Sequence, residues 1–322
     1  MNGTDFVVFS LGSNDPLAEK IAKKLRVKLG KISLKTFADG EQHVQLLENV
    51  RGRSVYFIQP TNPPAENWVR LFLALDAAHG ASAKEITAVL PYVGYARQER
   101  KSKPREPISA RVFSVILEKL GATHVLAVDL HTDSIGGFYR KANVDYLYAR
   151  PMLISHFQKA FKKQIAKDEL VIVSPDIGGA ARAQSYAKRL TKNANLALIH
   201  KEREQANQIA RMRLVGDVHG KTALIVDDMA DTCGTLARAA EVLMENGAKE
   251  VYACATHGLL SRNASAVIDA SPIKKLFITD TINHNPAALS KKIEVISIAN
   301  LLADAIYRIN HDQSLSALFE SK

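Results

Sequence analysis

Short apolar runs alternate along this chain with longer stretches in which apolar residues recur every three or four positions. FVVFSLG reads as a strand, and PLAEKIAKKL, with Leu17, Ile21 and Leu25 on one side, as a helix. SVYFIQP is again a strand, and NWVRLFLALDAAHG is a helix that Gly80 ends. EITAVLPYV, ISARVFSVILEKLG and HVLAVDL continue as strand, helix and strand. The second half repeats the rhythm with LVIVSPD, GAARAQSYAKRL, TALIVDD, LARAAEVLMENG and VYACATHG. Near the end, Ile298, Leu301, Leu302, Ala305, Ile306 and Ile309 fall on one face of a last helix.

Strands alternating with helices predict βαβ units, hence an α/β fold with mainly parallel sheets flanked by helices. The halves also match each other. FVVFSLGS…AKKL corresponds to VIVSPDIG…AKRL, GRSVYFIQP to GKTALIVDD, and GASAKEITAV to GAKEVYACA. Ala22 and Ala187, Gly52 and Gly220, and Lys84 and Lys249 stand at nearly one offset, which predicts a duplicated domain. YARP marks a break at residues 148–151. The expected domains are residues 1–150 and 151–322, with the last helix able to pack back on the first.

The chain's 322 residues are enough for two cores without a metal or disulfide staple. With 47% hydrophobic and 24% charged residues it is neither disordered nor fibrous. No apolar run reaches the length of a membrane span, and MNGTDFVVFS lacks the cationic lead of a secretory signal. The two cysteines, Cys233 and Cys254, are too few for a disulfide framework, so a reducing cytoplasm is expected. The net charge of +10 suits nucleic acid, anionic lipid or small anionic substrates, and does not choose among them.

In an open parallel sheet, ligands bind beyond the carboxyl ends of the strands. Four segments carry chemistry there. In TALIVDDMADTCGTL an apolar strand runs into Asp227 and Asp228, and Asp231, Thr232, Cys233, Gly234 and Thr235 lead to a helix. Backbone N–H groups in such a loop surround a phosphate, while the acids take sugar hydroxyls or a cation, so the string suits a sugar phosphate. In LAVDLHTDSIGG, Asp129 and His131 would share a strand face and could hold a metal or orient each other. In VIVSPDIGGAARA, Asp176 stands at a strand end before a Gly178–Gly179 turn. The last is basic: Arg97, Arg100, Lys101, Lys103 and Arg105 in one stretch and His200, Lys201 and Arg203 in another could close over a polyphosphate.

VDDMADTCGTL, IHKER, GYARQERK…REPISA, VDLH and VSPDIGG together resemble the ribose-phosphate pyrophosphokinase (phosphoribosyl pyrophosphate synthetase) family, over nearly the whole chain. The resemblance implies two duplicated type I phosphoribosyltransferase-like domains. It implies transfer of the diphosphoryl group of Mg-ATP to the 1-hydroxyl of ribose 5-phosphate, in a cytoplasmic homo-oligomer built as rings of dimers, with no nucleic acid or membrane partner. Carried over by position, Phe37, Asp39, Gly40 and Glu41 of FADGE, with Arg97 and Gln98, would hold ATP. His131 and Asp176 would serve Mg2+. Lys201 and Arg203 would lie on a loop and stabilise the transition state. Arg203, Asp227, Asp228 and Asp231–Thr235 would hold ribose 5-phosphate.

The match to the family is not uniform. Ser134 and Gly136 replace two glutamines, Asn49 replaces a serine, and Arg262 stands where glycine is usual. Arg51, Arg105, Ser314 and Ser316 keep the family's regulatory anion positions. A weakened response to phosphate and ADP is therefore expected. Three other readings remain at this point. They are a non-catalytic homologue, a base-salvage phosphoribosyltransferase, which would not need FADGE and YARQ, and a nucleic-acid binder.

Overall fold

The structure, a computed structural model, describes residues 6–202 and 211–318. Its contacts divide the chain into two units, the first of residues 1–149, 281–283 and 297–322 and the second of residues 150–280 and 284–296.

The first unit runs β1 (Phe6–Ser10), α1 (Asp15–Leu25), β2 (Ile32–Thr36), β3 (Gln42–Leu46), β4 (Ser54–Ile58), α2 (Glu66–Gly80), β5 (Glu85–Leu90), α3 (Ser109–Lys119), β6 (His124–Val128) and β7 (Asn143–Leu147). The second runs α4 (Arg150–Ala160), α5 (Lys162–Ala166), β8 (Leu170–Ser174), α6 (Ala180–Leu190), β9 (Leu196–Glu202), β10 (Arg211–Val215), β11 (Thr222–Ala230), α7 (Gly234–Glu245), β12 (Glu250–Gly258), α8 (Ala264–Ala270), β13 (Ile273–Thr279) and β14 (Ile293–Ile296). The last helix, α9 (Ala299–Asn310), belongs to the first unit and packs on α1.

The first sheet has the parallel order β1-β4-β5-β6-β7, and Leu29 bridges Val8 in parallel on the outer side of β1. The second has the order β10-β9-β8-β11-β12-β13-β14, parallel except for β10 against β9. The two orders coincide when β1 is set on β8, β4 on β11 and β5 on β12. Those are the three segment pairs that match in sequence, so the duplication extends from residues to topology.

β1, β4 and β8 are buried at every position. Helices cover both faces of a parallel sheet, which is why these strands read as unbroken apolar runs rather than alternating ones. α1 starts where Asn14 accepts a hydrogen bond from the Leu17 N–H at 3.2 Å, satisfying a donor that the first helical turn leaves open. In α9, Ile298, Leu302, Ala305 and Ile306 are fully buried, while Leu301 and Ile309 are half-buried at the edge of the stripe.

Candidate active site

In the second unit, β11 lies between β8 and β12 with its carboxyl end beside that of β8. The strand does not stop at the acids. Met229 and Ala230 still pair with His257 and Gly258 of β12, so Asp227 and Asp228 sit within β11. Asp228 is buried and Asp227 half-buried. Arg182, on the first turn of α6, meets both: its Nη1 donates to Asp227 Oδ1 at 3.2 Å and to Asp228 Oδ1 at 3.5 Å. Asp227 Oδ1 also accepts the Asp228 N–H at 2.9 Å. Burial, and then the neighbouring Asp228, push the Asp227 carboxyl well above the usual carboxylate range, against the opposing pull of Arg182.

Residues 231–233 then turn sharply into α7. Cys233 takes a left-handed φ of 61° as the residue before the helix, and no side chain caps α7. The N–H groups of the first helical turn have no intrahelical acceptor, so they form a ready anion seat. Thr232, Gly234 and Thr235 are exposed around it. A Cβ built on Gly234 would meet nothing nearer than Thr232 Oγ1 at 3.9 Å, so the space over the loop is open. Cys233 instead points into the core, where burial and then the Asp231 charge raise its thiol to about 12. At neutral pH it stays protonated and is no nucleophile.

Asp176 lies just beyond β8. Its Oδ1 accepts the Gly179 N–H at 2.9 Å, and Ser174 donates to its carbonyl at 2.7 Å. A Cβ on Gly179 would press on Ser174 Oγ at 2.7 Å, so a side chain there would displace that hydroxyl. Lys201 falls within β9, its backbone paired with Met212 of β10, rather than on a loop. Arg203 lies outside the described residues.

In the first unit, β2 and β3 form an antiparallel hairpin whose tip carries Phe37, Asp39, Gly40 and Glu41. The tip is closed by Phe37 N–H to Glu41 carbonyl (2.8 Å) and Glu41 N–H to Asp39 Oδ1 (3.0 Å). Gly40 supplies φ 97°. Phe37 is 51% exposed, an aromatic face beside two solvent-facing carboxylates. Arg70 of α2 fixes the hairpin by donating to Gln42 Oε1 at 2.7 Å. Arg97 and Gln98 follow β5, both exposed, on a loop anchored where Tyr95 stacks on Phe113 at 4.6 Å. The Gln98 side-chain oxygen accepts from the Ser109 hydroxyl.

The expectation that Asp129 and His131 share a strand face fails. β6 ends at Val128, and Asp129 has φ 39°, which breaks the alternation. Asp129 Oδ2 accepts the Ala149 N–H at 3.2 Å, a structural bond, while His131 is exposed beyond it. Among the described residues, no three His, Cys, Asp or Glu side chains converge on a metal position.

The positions expected to bind a regulatory anion differ from one another. Arg51 donates to Ser82 Oγ at 3.1 Å, and Asn49 Oδ1 accepts the Arg51 N–H at 3.0 Å. Arg105 is exposed with φ 67°. Ser314 Oγ accepts the Ser316 N–H at 3.2 Å. Gly136 is explained by a neighbour that sequence reasoning missed. Any Cβ there would collide with the Tyr146 hydroxyl, which donates to the Asp133 carbonyl at 3.2 Å. Arg262 carries φ 59°, a left-handed conformation that favours glycine. Arg182 was also missed, and its only signal was one basic residue among small ones in GGAARA.

Residues 6–121 match the family model described as the N-terminal domain of ribose phosphate pyrophosphokinase, and residues 204–320 match the phosphoribosyl synthetase-associated domain. Ribose-phosphate pyrophosphokinase 1 of Spinacia oleracea is 43% identical over 320 residues, 99% of this chain and 94% of that protein. Ribose-phosphate pyrophosphokinase 2 of Enterococcus faecalis is 45% identical over 98% of this chain and 96% of that protein. The crystal structure of phosphoribosylpyrophosphate synthetase from Mycobacterium smegmatis is similar with a TM-score of 0.89 at 36% identity, covering 96% of this chain and 100% of that one.

Proposed function

The chain belongs to the ribose-phosphate pyrophosphokinase family, and on that premise we propose how its residues divide the reaction. It transfers the diphosphoryl group of ATP to the 1-hydroxyl of ribose 5-phosphate, giving 5-phosphoribosyl 1-diphosphate and AMP. The hydroxyl oxygen bonds to the β-phosphorus, the bond from that phosphorus to AMP breaks, and the hydroxyl proton is lost.

The first unit takes ATP and the second takes ribose 5-phosphate. Phe37 stacks on the base, Asp39 and Glu41 accept its amino hydrogens, and Arg97 and Gln98 hold the remainder of the nucleotide. The open N–H groups before and within the first turn of α7, with the hydroxyls of Thr232 and Thr235, seat the 5-phosphate. Asp227 and Asp228, oriented by Arg182, accept from the ribose hydroxyls. Lys201 and Arg203 neutralise charge that builds on the transferring group. No covalent intermediate is needed, and the only thiol beside the phosphate seat, Cys233, is buried and protonated.

Magnesium would neutralise the polyphosphate. Asp176 fits it as a hard oxygen donor with one oxygen committed to Gly179, since magnesium binds through one or two carboxylates plus substrate phosphates. His131 is a nitrogen donor and suits the ion less well. A homo-oligomer is part of the reading that the family resemblance implies. Two free, buried cysteines suit a reducing cytoplasm, and among the described residues no helix is long and apolar enough to cross a membrane.

The string from Asp227 to Thr235, on the end of β11 and the start of α7, supports the assignment most directly. The decisive measurement is AMP release from ATP with and without ribose 5-phosphate. AMP formed in step with 5-phosphoribosyl 1-diphosphate is expected. No release identifies a non-catalytic homologue, and pyrophosphate release from added 5-phosphoribosyl 1-diphosphate and a free base identifies a salvage transferase.

A further inference from the structure

Helix α3 holds the loop of Arg97 and Gln98 at three neighbouring positions. Tyr95, with a left-handed φ of 63°, stacks on Phe113 with ring centroids 4.6 Å apart. Ala96 is buried with Ala110 and Ile135 in one small apolar cluster. Gln98 meets the start of the helix twice. Its carbonyl accepts the Ala110 N–H at 3.3 Å, and its side-chain Oε1 accepts the Ser109 hydroxyl. Ser109 and Phe113 are four residues apart, so they stand one turn from each other on the same side of α3. The helix thus fixes Tyr95, Ala96 and Gln98 and leaves Arg97 exposed between them.

The two bonds to Gln98 do different things. The first N–H groups of α3 need acceptors, no side chain caps the helix, and the Gln98 carbonyl supplies one acceptor. Any residue at position 98 could do that. The bond from Ser109 depends on the glutamine side chain. A serine at a helix start ordinarily turns its hydroxyl to the N–H groups of its own helix, but Ser109 donates across to the loop instead. A primary amide has an acceptor end and a donor end of nearly the same shape. With Oε1 taken by Ser109, the NH2 end is left over, and among the described residues it has no hydrogen-bond partner. Gln98 is exposed, so this end is open to a ligand. Polyphosphate oxygens only accept, and an amide that turned its oxygen outward would repel them.

We propose that Ser109 is a positioning residue of the reaction: its hydroxyl holds the Gln98 amide with the NH2 group outward, as a donor to a phosphate of ATP. The proposal rests on the assignment of Gln98 to the nucleotide under the proposed function. Ser109 itself touches no substrate and acts only through Gln98.

The test is calorimetric titration of the full chain with ATP and magnesium chloride, without ribose 5-phosphate, together with steady-state rates. Ser109→Ala should weaken ATP about fivefold, within the range of one neutral hydrogen bond. The KM for ATP should rise in step, with kcat and the melting temperature near wild type. Ser109→Thr keeps the hydroxyl and should restore the affinity. Gln98→Glu still accepts from Ser109 but turns a carboxylate oxygen outward, so it should weaken ATP more than Gln98→Ala does. In the Gln98→Ala background, Ser109→Ala should cost nothing further. A loss in Gln98→Ala that Ser109→Ala does not share overturns this proposal alone. So does a loss from Ser109→Ala that is as large in the Gln98→Ala background, because the hydroxyl would then act through the helix, and so does a Gln98→Glu variant that binds ATP as well as wild type. Unchanged affinity in Gln98→Ala removes Gln98 from the nucleotide site, and the proposal with it.

Discussion

Arg182 and Asp227, 45 residues apart in sequence, are joined by a 3.2 Å contact from Nη1 to Oδ1, and the same nitrogen reaches Asp228 at 3.5 Å. The parallel pairing of β8 with β11 brings the start of α6 over the acids within β11. One guanidinium thus limits how far burial and mutual repulsion can raise the Asp227 carboxyl.

Removing that guanidinium has a definite sign. An acid whose folded pKa is raised holds a proton that the unfolded chain has released. Its contribution to stability is present at acid pH and is lost as pH rises through the folded pKa. Arg182→Met should raise Asp227 further and extend that loss to higher pH. Ribose 5-phosphate binding needs the ionised carboxylate to accept hydroxyls, so affinity should increase with pH, with a midpoint displaced upward in the variant. Comparing wild type and variant at each pH cancels the titration of the sugar phosphate itself. Superimposable profiles would dissociate Arg182 from the ionisation of Asp227.

Thr235→Val should raise the KM for ribose 5-phosphate by about tenfold, the loss of one charge-assisted hydrogen bond, and leave ATP affinity near normal. Thr235 is exposed on the first turn of α7, so the fold should tolerate the change. Direct binding of each substrate checks it, and equal losses for both would unseat the phosphate assignment.

Lys201→Ala should lower kcat by ~10²–10³-fold with little change in ATP binding, the usual cost of losing one donor to a developing charge. Single-turnover measurements separate the chemical step from release. Near-normal turnover would remove Lys201 from the mechanism.

Gly136→Gln places the glutamine that the family resemblance leads one to expect where the Tyr146 hydroxyl already fills the space of a Cβ. The substitution should destabilise the protein by roughly 1–3 kcal/mol, as overpacking does. Adding Tyr146→Ala should recover most of the loss. Thermal melts of the two variants read this directly, and an unperturbed single variant would show that the loop yields freely.

The sequence alone determined the alternation of strands and helices, the duplication, and the run from Asp227 through Thr235, because each is written in local periodicity or in contiguous residues. Parallel strands buried on both faces spell continuous apolar runs, and a strand–loop–helix phosphate seat occupies only a few adjacent positions. Tertiary structure decided the rest. β11 runs on to Ala230 because β12 offers pairing partners there, and β6 halts at Val128 because Asp129 turns at φ 39°. Arg182 reaches Asp227, and Tyr146 fills the space at Gly136. These are meetings of residues far apart in the chain, set by the order and register of strands. No local pattern encodes them, since each partner alone reads as an ordinary residue of its own helix, strand or turn.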